Sequence, residues 1–258
     1  MSILYDMRSG ELVKSRLYTN NLLLKDSLEF NPLSLFKDGK QGVWYDPSDF
    51  STMFQDVAGT IPVTKDGDPV GLMLDKSGNG NHAKQTVSTA RPVYKTDGVL
   101  HWLQLDGVDD FIASGDFGLV QPHTYAIAST TTSTMLSGSR VLVDGLSVNS
   151  SSIGVRYAGA RIYAGAGTYE PPSLEVGKTV FVAKFDGNNS TLLNNGIAGV
   201  VRQVGSANPK GMTLGALSDG RAPSDTSIYG FISISKVTTN AEDLAVNTYL
   251  ATKSGVTL

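Results

Sequence analysis

Leu74–Ala83 reads LDKSGNGNHA and Leu103–Ile112 reads LQLDGVDDFI. Both are dense turn signals. Gly78, Gly80 and Gly107 supply backbone freedom, and Asp75, Asn79, Asn81, Asp106, Asp109 and Asp110 carry side chains that fold back on their own backbone. Apolar segments with strand character flank them: Val70–Leu74, Ala83–Val87, Val99–Leu105 and Phe111–Ala113. Strands joined by Gly, Asn and Asp corners describe a β-sandwich.

The same residues carry a family resemblance. DKSGNGNHA followed by LQLDGVDDF resembles the laminin-G-like, concanavalin-type jelly roll, in the version found in bacteriophage structural proteins and tail fibres. The resemblance continues in VWYDPSDFSTMFQDVAG (Val43–Gly59) and in FVAKFDGNNSTLLNNG (Phe181–Gly196), similar to the family's strand, D-G, strand, N-G hairpin. It closes with MTLGALSDG, YGFISIS and a helix ending in YLATKSGVTL. It covers residues 43–258 and implies an all-β, concanavalin-like jelly-roll β-sandwich with an N-terminal arm and a short C-terminal helix.

Bulk properties narrow the function classes. The 258 residues suffice for one large β domain, and 28 glycines suit many turns. A net charge of -3 without Lys/Arg runs gives no basic footprint, so no nucleic-acid partner is expected. There is no cysteine, which removes disulfides, thiolate nucleophiles and zinc-thiolate sites. No apolar run approaches the about 20 residues of a membrane span, so no membrane insertion is expected. MSILYDMRSGELV carries Asp6, Arg8 and Glu11 and does not read as a secretory signal. The expectation is synthesis in a bacterial cytoplasm and, from the resemblance, localisation in a virion.

Residues 1–42 read as an arm. Leu22–Leu24, Leu28, Phe30, Leu33, Leu35 and Phe36 make it too apolar for a disordered tail, and Pro32 argues against one continuous helix. It is expected to hold other virion proteins, a sister subunit or its own sandwich. Trp44, Tyr45, Phe50 and Phe54 read as a local apolar cluster, with a sugar-stacking platform as the alternative. Ser48 or Asp49 is placed to cap a short helical turn. Thr179–Asp186 alternates with period two, Phe181, Ala183 and Phe185 on one face. Asn194-Asn195-Gly196 signals a hairpin. Thr239 and Glu242 have capping-box spacing, and Gly255 ends the last helix.

Catalytic motifs are missing. His82, His101 and His123 lie in no metal-pair spacing, and there is neither a G-x-S-x-G elbow nor a Walker loop. Glycosidases on this fold place two carboxylates about 5 Å apart, usually at period two on one strand, and no such run occurs. Gln121-Pro122-His123 matches a fragment of alginate-lyase-like jelly rolls, but their partner strands are absent. No catalytic residue is expected.

Two binding readings stay open. Asp75, Ser77, Asn79 and Asn81 put oxygens at alternate positions, as hard-cation loops do, and relatives of this fold often bind Ca2+. No cofactor is required, and the alternative is an Asx-turn satisfying its own amides. If the two turns meet in space, Asp106, Asp109 or Asp110 could add a carboxylate. Tyr157, Arg161, Tyr163 and Tyr169, with Arg156, form an aromatic-basic cluster of the kind that anchors recognition surfaces, for which host surface polysaccharide is the expected ligand. The alternative is that the tyrosines face the core or a subunit seam. The resemblance implies a homotrimer and a non-enzymatic virion protein: a tail receptor-binding protein, or else a capsid decoration or head-fibre protein. A polysaccharide-degrading enzyme and a secreted bacterial lectin are the rival classes.

Overall fold

Period-two alternation with both faces apolar, as in Thr179–Phe185, demands a covering layer on each side of the strand. The computed structural model, which describes residues 30–156, 159–165, 174–199, 201 and 203–258, supplies both layers. Its strands are β1 Gly42–Tyr45, β2 Met53–Phe54, β3 Leu72–Met73, β4 Ala83–Lys84, β5 Val93–Thr96, β6 His101–Gln104, β7 Ile112–Ala113 and β8 His123–Thr131. They continue as β9 Ser139–Asp144, β10 Ser152–Arg156, β11 Gly159–Tyr163, β12 Gly177–Phe185, β13 Thr191–Asn194, β14 Ile197–Ala198, β15 Thr213–Leu214 and β16 Ser227–Ile234. Among the described residues two α-helices, α1 Ser133–Ser137 and α2 Asn240–Ser254, accompany them.

Two antiparallel sheets result. Sheet I runs β14-β13-β12-β8-β16-β6-β5, with β1 also on β16; sheet II runs β11-β10-β9-β15-β7-β4-β3-β2. β16 shares one edge between partners: Ser227–Ile228 pairs with β6, and Phe231–Ile234 with β1. Between the sheets Tyr45, Tyr125, Phe181, Phe185 and Phe231 of sheet I meet Met53, Met73, Ile112, Leu142 and Ile153 of sheet II. Each such fully buried side chain contributes about 1.5–3 kcal/mol. The chain is therefore a jelly-roll-like β-sandwich closed by one C-terminal helix.

That helix explains the second apolar face of sheet I. Val180 and Val182 are buried although they point away from the inter-sheet core. α2 lies on that face: Trp44 meets Tyr249 edge-on at 6.1 Å, Lys184 pairs with Asp243, and a Cβ on Gly230 would come within 3.1 Å of Leu250. The capping box forms, with the Thr239 amide donating to Glu242 at 2.9 Å, and Gly255 ends the helix at φ 73°. Leu100 and Trp102, the outer face of the β6 region, pack beside the helix end and against Tyr229.

Asp46 fastens α2 to the sandwich. Its carboxylate accepts from Ser48 at 2.6 Å, Lys253 at 3.0 Å and Tyr249 at 3.1 Å, with Lys76 at 3.4 Å. Burial opposes the charge, but Ser48 and the two lysines hold this carboxyl below its usual range. Asp49 caps the turn Phe50–Thr52 as the sequence suggests. The Asn195-Gly196 hairpin takes positive φ at both residues, 48° and 78°.

Some expectations change. The sequence reading carried the arm to residue 42, whereas the compact unit begins at Pro32: Leu35 and Phe36 are buried, and residues 32–42 lead into β1. Residues 1–29 lie outside the described residues. β5 was not anticipated, because only Tyr94 of its four residues is fully buried and no alternation shows. After the Asn195-Gly196 turn the chain returns as the short strand Ile197–Ala198, and residues 200 and 202 lie outside the described residues. Among the described residues no helix is long and apolar enough to cross a membrane.

Candidate functional site

The Asp75 turn is a staple. The Asp75 carboxylate accepts from the amides of Trp44 (2.9 Å), Ser77 (2.8 Å) and Asn81 (3.0 Å) and from the Ser77 hydroxyl (2.7 Å). Asn79 and Asn81 turn their NH2 groups to the Gly42 carbonyl at 3.2 and 2.9 Å. These groups knit the turn to the start of β1, and each Asp75 oxygen already holds two donors that a calcium ion would have to displace. The second turn folds separately: Asp106 accepts from Val108 at 2.8 Å, and Asp110 accepts from the Asp106 amide at 3.1 Å. Asp106, Asp109 and Asp110 lie close together, but Asp75 is not among the carboxylates that gather there, so the two turns do not pool ligands. Burial, helped by Asp106 and Asp109, pushes the Asp110 carboxyl up to about 6. Chelation is expected to change nothing: melting curves with and without EDTA should coincide, and a lower melting temperature in EDTA would restore the calcium reading.

The aromatic platform and the lyase fragment also resolve. Trp44 is covered by Tyr249 and by Lys76, whose Nζ is 4.5 Å above the ring, while Tyr45 points into the core and stacks on Phe231. Phe50 packs elsewhere, on Tyr94 at 4.8 Å, so Trp44, Tyr45 and Phe50 form no common surface. His123 is fully buried, stacked on Phe185 at 4.7 Å with Tyr125 at 4.8 Å. Gln121 is spent on backbone: its Nε2 donates to Ala207 and Gly205, and its Oε1 accepts from Gly187. Neither residue serves a cleft.

Arg161 and Tyr163 do. Two apart on β11, they point to one side, away from the buried Ala160 and Ile162. They line a cleft of about 360 Å³ on the outer face of sheet II, with Asn149, Ser152, Gly154 and Leu217 among its other walls. Register builds it: Arg161 pairs with Gly154, which pairs with Val141, and Tyr163 pairs with Ser152. Gly154 lies at a register shift and has no room for a side chain, since a Cβ would come within 2.9 Å of the Arg140 carbonyl. The Tyr163 hydroxyl donates to the Gly165 carbonyl at 2.9 Å, which fixes the ring.

Asp144 supports this cleft from below. Fully buried, it accepts from Ser152 Oγ at 2.6 Å and from the Asn149 and Ser218 amides at 3.1 and 3.2 Å. Burial raises its carboxyl above the usual range, and these donors oppose that shift. Among the described lining residues Arg140 and Arg161 are charged and no carboxylate or histidine is present. Tyr157 and Tyr169 lie outside the described residues, as does the side chain of Arg156. Of the expected cluster, the structure brings together Arg161 and Tyr163. Asn149, Ser152 and Gly154 carry no sequence signal of their own.

No protein-family model and no curated protein matches the sequence. Among solved structures, the chain is similar to the botulinum neurotoxin serotype D ligand-binding domain in complex with N-acetylneuraminic acid, at TM-score 0.54 and 9% identity, over 68% of this chain and 47% of that one. It is also similar to the Trypanosoma rangeli sialidase in complex with sialic acid, at TM-score 0.53 and 11% identity, over 97% and 44%. The same sialidase with the inhibitor DANA gives TM-score 0.52 and 10% identity, over 93% and 39%. The chain thus spans less than half the length of the structures it matches. At these identities the likeness is one of fold: β-sandwich, jelly-roll-like domains.

Proposed function

We propose that this chain is a non-catalytic carbohydrate-binding sandwich of a tailed-phage virion, a tail receptor-binding protein that recognises host surface glycan through the Arg161–Tyr163 cleft. The observation that carries the binding reading is that cleft: concave, on an exposed sheet face, with an aromatic ring and a guanidinium side by side on a preformed strand. A tyrosine face packs on the apolar side of a sugar ring, and a guanidinium holds a carboxylate in fork geometry. Two proteins of similar fold are described with sialic acids bound, which favours an acidic sugar as the class to try first. The lack of carboxylates among the described lining residues supports binding over hydrolysis, because general acid–base chemistry on glycosides requires them. The virion placement rests on the resemblance of Leu74–Ala83 and Leu103–Ile112. It brings with it a homotrimer and attachment to other virion proteins through the N-terminal residues.

The test is a fluorescent fusion of the full chain, measured on candidate host cells and on an array of acidic and neutral glycans. Staining should saturate, and Arg161→Ala and Tyr163→Ala should each weaken it by about tenfold or more while the melting temperature stays close to that of the parent. Saturable staining that neither variant weakens would reject this cleft. Cells and glycans left unstained by a chain that adds to bare capsids would make it a capsid decoration protein.

A further inference from the structure

The outer face of sheet II carries a second cleft, of about 480 Å³, between β4 and β7. We propose that it is a separate subsite for a carboxylate-bearing sugar. Lys84 and Ala113 are register partners facing outward, since Ala83 and Ile112 belong to the core. Lys84 forms no ion pair among the described residues, and its side chain is exposed at the cleft. His82 stands beside it with its ring fixed: Nδ1 accepts from the Asp75 amide at 3.0 Å. The neutral ring therefore carries its proton on Nε2, as a donor. Asp116 lines the cleft too, with one oxygen accepting from the Gly118 amide at 2.9 Å.

This pairing of groups selects the ligand class. A lysine ammonium and an imidazole N–H donate to a carboxylate. Asp116 accepts from hydroxyls and would repel a simple anion such as phosphate. A neutral sugar would leave Lys84 without a partner, and a divalent cation would meet one carboxylate and an ammonium. A sugar acid, with its carboxylate and hydroxyls on one ring, satisfies Lys84, His82 and Asp116 together. The wall is preorganised as well, because the Asp75 network that fixes His82 also fixes Asn81 at the rim. The subsite shares no residue with the Arg161 cleft. Along the sheet order, β4 lies four strand steps from β10, about 19 Å at the usual spacing.

The test is a titration of the 15N-labelled full chain with sodium glucuronate, N-acetylneuraminate and glucose, followed at the Gly80, Gly115 and Lys84 amides. Saturable shifts are expected with at least one of the two acids, with glucose weaker by about tenfold or more. Gly115 has open space at its Cβ position and no left-handed φ, so Gly115→Phe fills the cleft without straining the backbone. Gly115→Phe and Lys84→Glu should abolish the shifts, Lys84→Arg should keep them, and Arg161→Ala should leave them unchanged. The proposal is overturned if no acid gives saturable shifts, if glucose binds as well, if the shifts survive both Gly115→Phe and Lys84→Glu, or if Arg161→Ala removes them. Failure of the Arg161 cleft alone would appear differently: cell staining indifferent to Arg161→Ala, with these shifts intact.

Discussion

Replacing His123 with phenylalanine is expected to make the protein markedly more resistant to acid. His123 is enclosed by the rings of Phe185 and Tyr125. Burial alone holds its pKa down at about 3, against 6.5 for the free side chain. The sign follows directly. Below pH 6.5 the unfolded chain takes up a proton that the folded chain refuses, so stability falls with pH and continues to fall to about pH 3. The loss is about 2 kcal/mol at about pH 5 and reaches about 5 kcal/mol near pH 3. Asp110 and Asp144 work the other way, since their raised pKa values add stability as pH falls. Comparing parent and variant cancels them. Urea unfolding at about pH 7.5 and about pH 5 should show the parent losing about 2 kcal/mol more than His123→Phe. Equal losses would mean that the buried ring accepts its proton without unfolding.

The same histidine shows what a sequence can and cannot reveal. Gln121-Pro122-His123 matched a catalytic fragment, but whether a strand residue faces core or cleft depends on the layer above it. Local signals read well where local physics decides. The Asn195-Gly196 turn, the Thr239–Glu242 capping box and the alternation of Phe181, Ala183 and Phe185 depend on residues within one element, and all three form. Two-residue strands such as β3, β4, β7 and β15 are too short to show a period, so that half of sheet II was visible only through the turns between its strands. The helical layer over sheet I was hidden for a different reason: Trp44 and Tyr249, or Asp46 and Lys253, meet across nearly the whole chain.

The candidate site divides the same way. Arg161 and Tyr163 were legible as a pair, because period two puts them on one face of a strand. Gly154, Ser152 and Asn149 were not, because the cleft arises from cross-strand register and from Asp144 beneath it. The second cleft was less visible still. His82 and Lys84 meet Asp116 only because β4 pairs with β7 at Lys84 and Ala113.

Asp75→Ala is expected to cost about 3–5 kcal/mol, since four donors lose a charged acceptor and the amides of Trp44 and Ser77 are left buried and unpaired. For a domain of this size that lowers the melting temperature by about 10 °C. Ser77→Ala removes the 2.7 Å bond to Asp75 and the one its hydroxyl accepts from the Asn79 amide at 3.2 Å, and should cost about 1–2 kcal/mol. The two variants separate a staple from a metal ligand. A staple loses stability equally with or without calcium and EDTA, whereas a ligand's loss would vanish once the metal is removed from the parent. A drop below about 3 °C for Asp75→Ala would show that the turn holds its shape through glycine and asparagine alone. The effect should also reach the second cleft. His82 takes its orientation from the Asp75 amide, and Asn81 from the Asp75 carboxylate, so a loosened turn presents both groups less well. Acidic-sugar shifts at Gly80 should therefore weaken in Asp75→Ala even at temperatures where it is fully folded. The Arg161 cleft, at the far side of the sheet, should bind as before. That contrast ties the strongest sequence motif of the chain to one cleft and leaves the other as an internal control.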